Sequence, residues 1–165
     1  MSFEEIRVIT VVYTAVLLPL IIYWKYKSRL PKWIPSFYII SLVVCSLGWE
    51  LWFTYGWLDG DPVDLRRSEN LNKWLPKDIN WLLNSMGDAG AVLLGGAWLM
   101  WITHKKNLMI FKKWNWTAFI VLYIWCVSQN IFVEMFLYHD QLADGKPLSW
   151  APLSPFGPYF NPVLF

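Results

Sequence analysis

The sequence is short of histidine, cysteine and net charge, and each shortage removes a class of function. Only His104 and His139 occur in 165 residues. A di-metal helix bundle pairs its ligands as Glu-x-x-His. Here Glu134 and His139 are five apart, and His104 stands beside Lys105, at the far end of the apolar runs from the acids. No metal and no other cofactor is expected. Cys45 and Cys126 both fall inside apolar runs, where a free thiol packs as a small hydrophobe, so they read as buried thiols rather than a disulfide. The net charge is only +2, with the basic residues in short clusters between apolar runs. That pattern signals topology and excludes a nucleic-acid footprint. No phosphate-binding loop, dinucleotide fingerprint or nucleophile–base motif is present. There is no soluble domain and no long internal repeat. The first apolar run follows Glu4, Glu5 and Arg7 and lacks a small-residue cleavage site, so it reads as a retained span, not a signal peptide.

What is abundant is apolar and aromatic: 56% hydrophobic residues, 19% aromatic ones and thirteen Trp. A stretch of about 18 or more nearly uncharged residues is a candidate membrane span. Four such runs predict an all-α integral membrane protein, a four-transmembrane-helix bundle with spans near 6–24, 34–57, 78–103 and 116–138. Residues 1–139 form this bundle. Residues 140–165 form a Pro- and aromatic-rich tail whose five prolines after Lys146 forbid a regular helix. That tail is expected to lie on the outer surface of the bundle or dip into its mouth.

Orientation follows from the basic residues. The first connection holds Lys25, Lys27, Arg29 and Lys32, the third Lys105, Lys106, Lys112 and Lys113, and neither holds an acid. The second holds Arg66, Arg67, Lys73 and Lys77 diluted by Asp59, Asp61, Asp64 and Glu69. The first and third connections are therefore assigned to the cytoplasm, and both termini to the extracytoplasmic side of a multi-pass protein. Tyr23, Trp24, Trp33, Trp57, Trp81 and Trp116 crowd the span ends as interface anchors.

The informative residues are acids inside the spans. At 1.5 Å per residue, Glu50 lies roughly 10 Å deep, Asp88 roughly 15 Å and Glu134 roughly 6 Å, all in the outer half of the bilayer. Carboxylates at such depth usually face a cavity or a partner. Each belongs to a seam at four-residue spacing: Ser46, Glu50, Thr54; Asn80, Asn84, Asp88; Asn130, Glu134, Tyr138, with Gln129 beside the last. Gly87, Ala91 and Gly95 make a stripe of small residues where another helix approaches closely. Three seams at one depth on three helices predict a single outward-opening polar pocket.

Three segments resemble the EXPERA membrane domain, shared by the emopamil-binding sterol isomerase and the sigma-2 receptor. They are Glu50-Leu-Trp-Phe-Thr-Tyr with the following Leu58-Asp-Gly-Asp, Asp88 with Gly96-Ala-Trp-Leu-Met-Trp101, and Gln129 through Glu134 with Tyr138-His-Asp and Asp144-Gly145. Order and spacing agree over about residues 37–145. The resemblance implies a membrane cavity lined by acids and aromatics that holds sterols or amines, with Glu50 and Asp88 as its acids. Ser46 stands where the isomerase carries a His one turn before its first Glu, and the family's last helix is replaced by the tail. The resemblance therefore implies ligand binding more than sterol isomerisation.

The expected function is binding of a hydrophobic, sterol- or isoprenoid-like small molecule in an outward-facing cavity. Glu50 and Asp88 are the candidate catalytic pair should the site perform acid–base isomerisation. Trp49, Trp52, Asn84, Trp98, Asn130, Glu134 and Tyr138 are the candidate ligand contacts, with Trp49, Trp52 and Trp98 placed to stabilise positive charge. The alternative is a non-catalytic accessory subunit of a larger membrane complex, its seams satisfied by partner helices. An ion path is disfavoured because no acid reaches the inner leaflet. Expected partners are membrane lipids, the hydrophobic small molecule and, in the alternative, other membrane proteins; nucleic acid is not among them.

Overall fold

The computed structural model describes residues 1–57 and 61–133. Glu134, Tyr138 and the tail 140–165 lie outside the described residues, and so does the expected end of the fourth span. Among the described residues the chain is all-helical. Helix α1 spans Phe3–Tyr26. Its start is set by a capping box: the Glu5 amide donates to Ser2 Oγ at 3.1 Å, and the Ser2 amide donates to Glu5 Oε2 at 2.7 Å. α2 (Ile34–Leu47) and α3 (Trp49–Tyr55) follow, then α4 (Glu69–Trp74) and α5 (Lys77–Gly87). The chain continues from α5 through a π-helical stretch, Asp88–Leu94, into α6 (Gly95–Thr103). A 3-10 turn at Leu108–Phe111 leads to α7 (Trp116–Phe132).

Two helices are long and apolar enough to cross a membrane: Phe3–Tyr26 and the continuous Lys77–Thr103 rod. The pair α2–α3 makes a third if it is one span, although it bends by 42° where the sequence suggested an unbroken helix. α7 is apolar over 17 residues.

The bend between α2 and α3 has a local cause. A Cβ at Gly48 would lie 2.7 Å from the Val44 carbonyl oxygen, closer than any side chain tolerates. The Gly48 amide instead closes α2 by donating to Val44 O at 2.9 Å and Cys45 O at 3.3 Å. α3 then ends on Gly56, whose φ of 71° is the left-handed cap that glycine adopts without steric penalty.

The Lys77–Thr103 rod is the hub, packing against α1, α2–α3 and α7. Its small residues permit close approach, as expected, but not along one stripe. Gly87 faces Ala15 of α1, Gly90 lies against the Pro19 ring and Gly96 lies under Leu122 and Trp125 of α7. The first contact precedes the π-helical stretch, the second lies within it and the third follows it, so one rod turns small residues toward two neighbours.

The two ends of the bundle differ. At one end the basic connections meet, with the rings of Trp33 and Phe111 5.2 Å apart. At the other, Ser68 Oγ donates to Glu5 Oε1 at 2.6 Å and Tyr13 OH donates to the Trp74 carbonyl at 2.9 Å. These bonds seat the second connection on the start of α1, where Val8, Val12, Leu71 and Leu75 form a buried cluster.

The second connection is therefore a folded cap, not the open polar loop its composition suggests. Arg66 and Arg67, counted from sequence as loop charges, are 2% and 5% exposed. Arg66 donates to the Phe53 carbonyl at 2.6 Å and stacks its guanidinium 4.2 Å over the Phe53 ring. Arg67 donates to Asn72 Oδ1 at 2.7 Å, to Asn80 Oδ1 at 3.0 Å and to the Leu75 carbonyl. Planar, multi-pronged arginine suits this task better than lysine.

Two outcomes are expected. Gly48→Ala forces the methyl onto the Val44 carbonyl and costs about 1–3 kcal/mol, the range for overpacking. Arg67→Leu leaves Asn72, Asn80 and the Leu75 carbonyl without their donor, and losing hydrogen bonds to a charged group costs about 1.5–3 kcal/mol each. Both are read as a lower Tm of the purified protein by differential scanning fluorimetry, with Lys73→Leu as the exposed control.

Candidate functional site

A bend and a change of winding place the polar residues. The bend at Gly48 sets the first turn of α3 against α5, carrying Trp49 and Glu50 with it. On the hub rod, the Asp88 amide donates to the Asn84 and Ser85 carbonyls, so Asn84 and Asp88 stay one turn apart on a common face just before the winding loosens. Trp49 Nε1 then donates to Asp88 Oδ2 at 2.9 Å, joining α3 to the hub rod.

These residues line one cavity of about 120 Å³. Its polar wall is Trp49 and Glu50 from α3, Asn84 and Asp88 from the hub, and Gln129 and Asn130 from α7. Val12 and Ala15 of α1, together with Phe53, supply apolar wall. The described lining holds two acids and no Lys, Arg or His. Glu50 is buried at 5% exposure, Asn84 is 7% exposed and Asp88 is half-buried. Among the described residues, no three of His, Cys, Asp and Glu gather as a metal-ligand set.

Of the expected site residues, Trp49, Glu50, Asn84, Asp88 and Asn130 are brought together. Trp52 and Trp98 are not. They are 40% and 56% exposed and lie off the lining, which corrects their expected role as cavity aromatics. Trp52 is two residues beyond Glu50, and Trp98 two beyond Gly96, which faces α7; two residues turn a helix roughly 200°. Glu134 and Tyr138 lie outside the described residues.

The seams also divide more than their four-residue spacing implied. Asn80 turns to Arg67 and serves the cap. Thr54 is fully buried off the cavity, its carbonyl accepting from the Val63 amide at 2.9 Å. Ser46 donates its hydroxyl to the Val43 carbonyl at 3.1 Å and does not line the cavity.

Sequence reasoning missed two contributions. The first is the wall from α1: Val12 and Ala15 carry no polar signal, and only the small residues at 87 and 90 hint that a helix lies close. The second is the use of tryptophan. Trp81, expected as an interface anchor, donates its indole N–H to the Ser46 carbonyl at 2.8 Å, and Trp125 donates to the Val92 carbonyl at 2.9 Å. With Trp49, three indoles tie helices together. Trp49 thus holds the Asp88 carboxylate through its indole N–H.

Trp49→Phe keeps the ring and removes the donor. It is expected to lower stability by about 1.5–3 kcal/mol, the range for a hydrogen bond to a charged group, seen as a fall in Tm. Trp52→Phe, on the exposed face of the same helix, is expected to change Tm little.

Comparison with protein families, curated proteins and solved structures finds no match to this chain.

Proposed function

We propose that this is a four-span membrane protein whose cavity binds the polar end of a hydrophobic small molecule, as the EXPERA resemblance also implies. One observation carries the reading: polar side chains from three separate segments, around residues 49–50, 84–88 and 129–130, meet at one cavity with two acids and no described cation. Acids at membrane depth are retained where they serve a site. The volume limits what enters. Pockets that enclose a whole drug-sized ligand measure about 300–1,000 Å³. About 120 Å³ takes a head group, and the hydrophobic remainder lies outside the chamber.

The proposed orientation puts the termini on the extracytoplasmic side. Two contacts support it. Trp33 against Phe111 gathers the eight acid-free basic charges of the first and third connections at one end. Burial of Arg66 and Arg67 within the cap removes two positive charges from the surface of the other end. The charge bias is thus steeper than a count along the chain suggests.

The test is purification in mild detergent followed by extraction and mass spectrometry. A monomer or dimer retaining a lipid-like molecule is expected, with retention reduced about tenfold or more in the double variant Glu50→Gln plus Asp88→Asn, a change equal to about 1.4 kcal/mol. Unchanged retention in that variant overturns the cavity as the binding site. Recovery only as a stoichiometric complex with other membrane proteins, carrying no small molecule, replaces this reading with the accessory-subunit one.

A further inference from the structure

We propose, building on that reading of the cavity, that the polar group it takes is a hydroxyl, the head of a lipid-chain alcohol, and not an ammonium. Two side chains one helical turn apart decide the chemistry. Asp88 is half-buried on the lining and receives Trp49 Nε1 on Oδ2. A carboxylate has about four lone-pair sites, so acceptor capacity remains. Asn84 is 7% exposed, lines the same cavity, and its side-chain nitrogen has no hydrogen-bond partner among the described residues. A buried amide N–H left unmade is costly, and such a group in a native site calls for a partner.

The complement must therefore donate to Asp88 and accept from Asn84 within a few ångströms. A hydroxyl does both through one oxygen. An ammonium satisfies the carboxylates but offers nothing to the Asn84 N–H. An ether or ester accepts from Asn84 and gives Asp88 nothing. A carboxylate or phosphate is repelled by Glu50 and Asp88, since the described lining has no cation to offset them. The small volume agrees, because a hydroxyl with its first carbons is the least bulky group that makes both bonds. No covalent bond forms or breaks.

The experiment uses the full chain in phosphatidylcholine nanodiscs and three probes on one isoprenoid chain: geranylgeraniol, the corresponding primary amine, and the methyl ether. Binding is read by tryptophan fluorescence and confirmed by competition. The alcohol is expected to bind at least about tenfold more tightly than either analogue, a difference of about 1.4 kcal/mol. Asn84→Leu, with the same branching and number of side-chain heavy atoms, is expected to bring the alcohol down to the ether's level while leaving the amine unchanged. Asn84→Asp, which replaces the donor by a third acid, is expected to reverse the order in favour of the amine. Equal or tighter binding of the amine by the natural chain overturns the hydroxyl assignment while leaving the cavity reading intact, as does an equal loss of all three probes in Asn84→Leu. Failure of all three probes to bind the natural chain sinks the proposed function itself.

Discussion

Hydrocarbon offers no hydrogen bonds, so a helix that breaks inside a membrane must find partners for its freed backbone within the protein. The α2–α3 pair breaks at Gly48 and the Lys77–Thr103 helix loosens at Asp88–Leu94. Both irregularities are served by indoles. The Ser46 carbonyl, at the C-terminal end of α2, accepts from Trp81, and the Val92 carbonyl, within the π-helical stretch, accepts from Trp125. Indole suits this duty because it donates once, accepts nothing and buries a large apolar body. The cavity exists where it does because these two departures from regular winding sit side by side, one carrying Glu50 and the other carrying Asp88.

A second constraint comes from the cap. Burying two guanidinium groups is costly unless each donor is matched. Carbonyls of Phe53 and Leu75 and the amides of Asn72 and Asn80 do much of that matching. Asn80 belongs to the same helical face as Asn84, so a single helix gives one amide to the cap and the next to the cavity. The cap is thus coupled mechanically to the site: a shift of α5 that opened the chamber would also strain the arginine network.

Much of this was legible in the residues. The apolar runs follow from transfer energetics, and two or three of them form helices long and apolar enough to cross a membrane. The convergence of Glu50, Asn84, Asp88 and Asn130 followed from four-residue spacing. Trp52 and Trp98 carry the right chemistry for a cavity, but each stands two residues from a facing position in its own helix, a turn of roughly 200° that puts it on the other side. The cap was illegible for a different reason. Arg66 and Arg67 look like loop charges, because composition records that a guanidinium is charged and not that neutral oxygens, one for Arg66 and three for Arg67, receive it.

The π-helical stretch has a consequence for how the molecule can vary. It joins two halves of the Lys77–Thr103 helix that answer to different neighbours: before it, Gly87 meets α1; after it, Gly96 meets α7; Asp88 and Gly90 lie within it. A loosened turn between them absorbs small rotations of one half before they reach the other. Drift in the α6–α7 contact through exchanges at Leu122 is thereby buffered before it reaches Asn84, whereas an exchange at Trp125 also removes the donor to Val92 within the stretch. A uniformly wound rod would transmit each such exchange along its whole length.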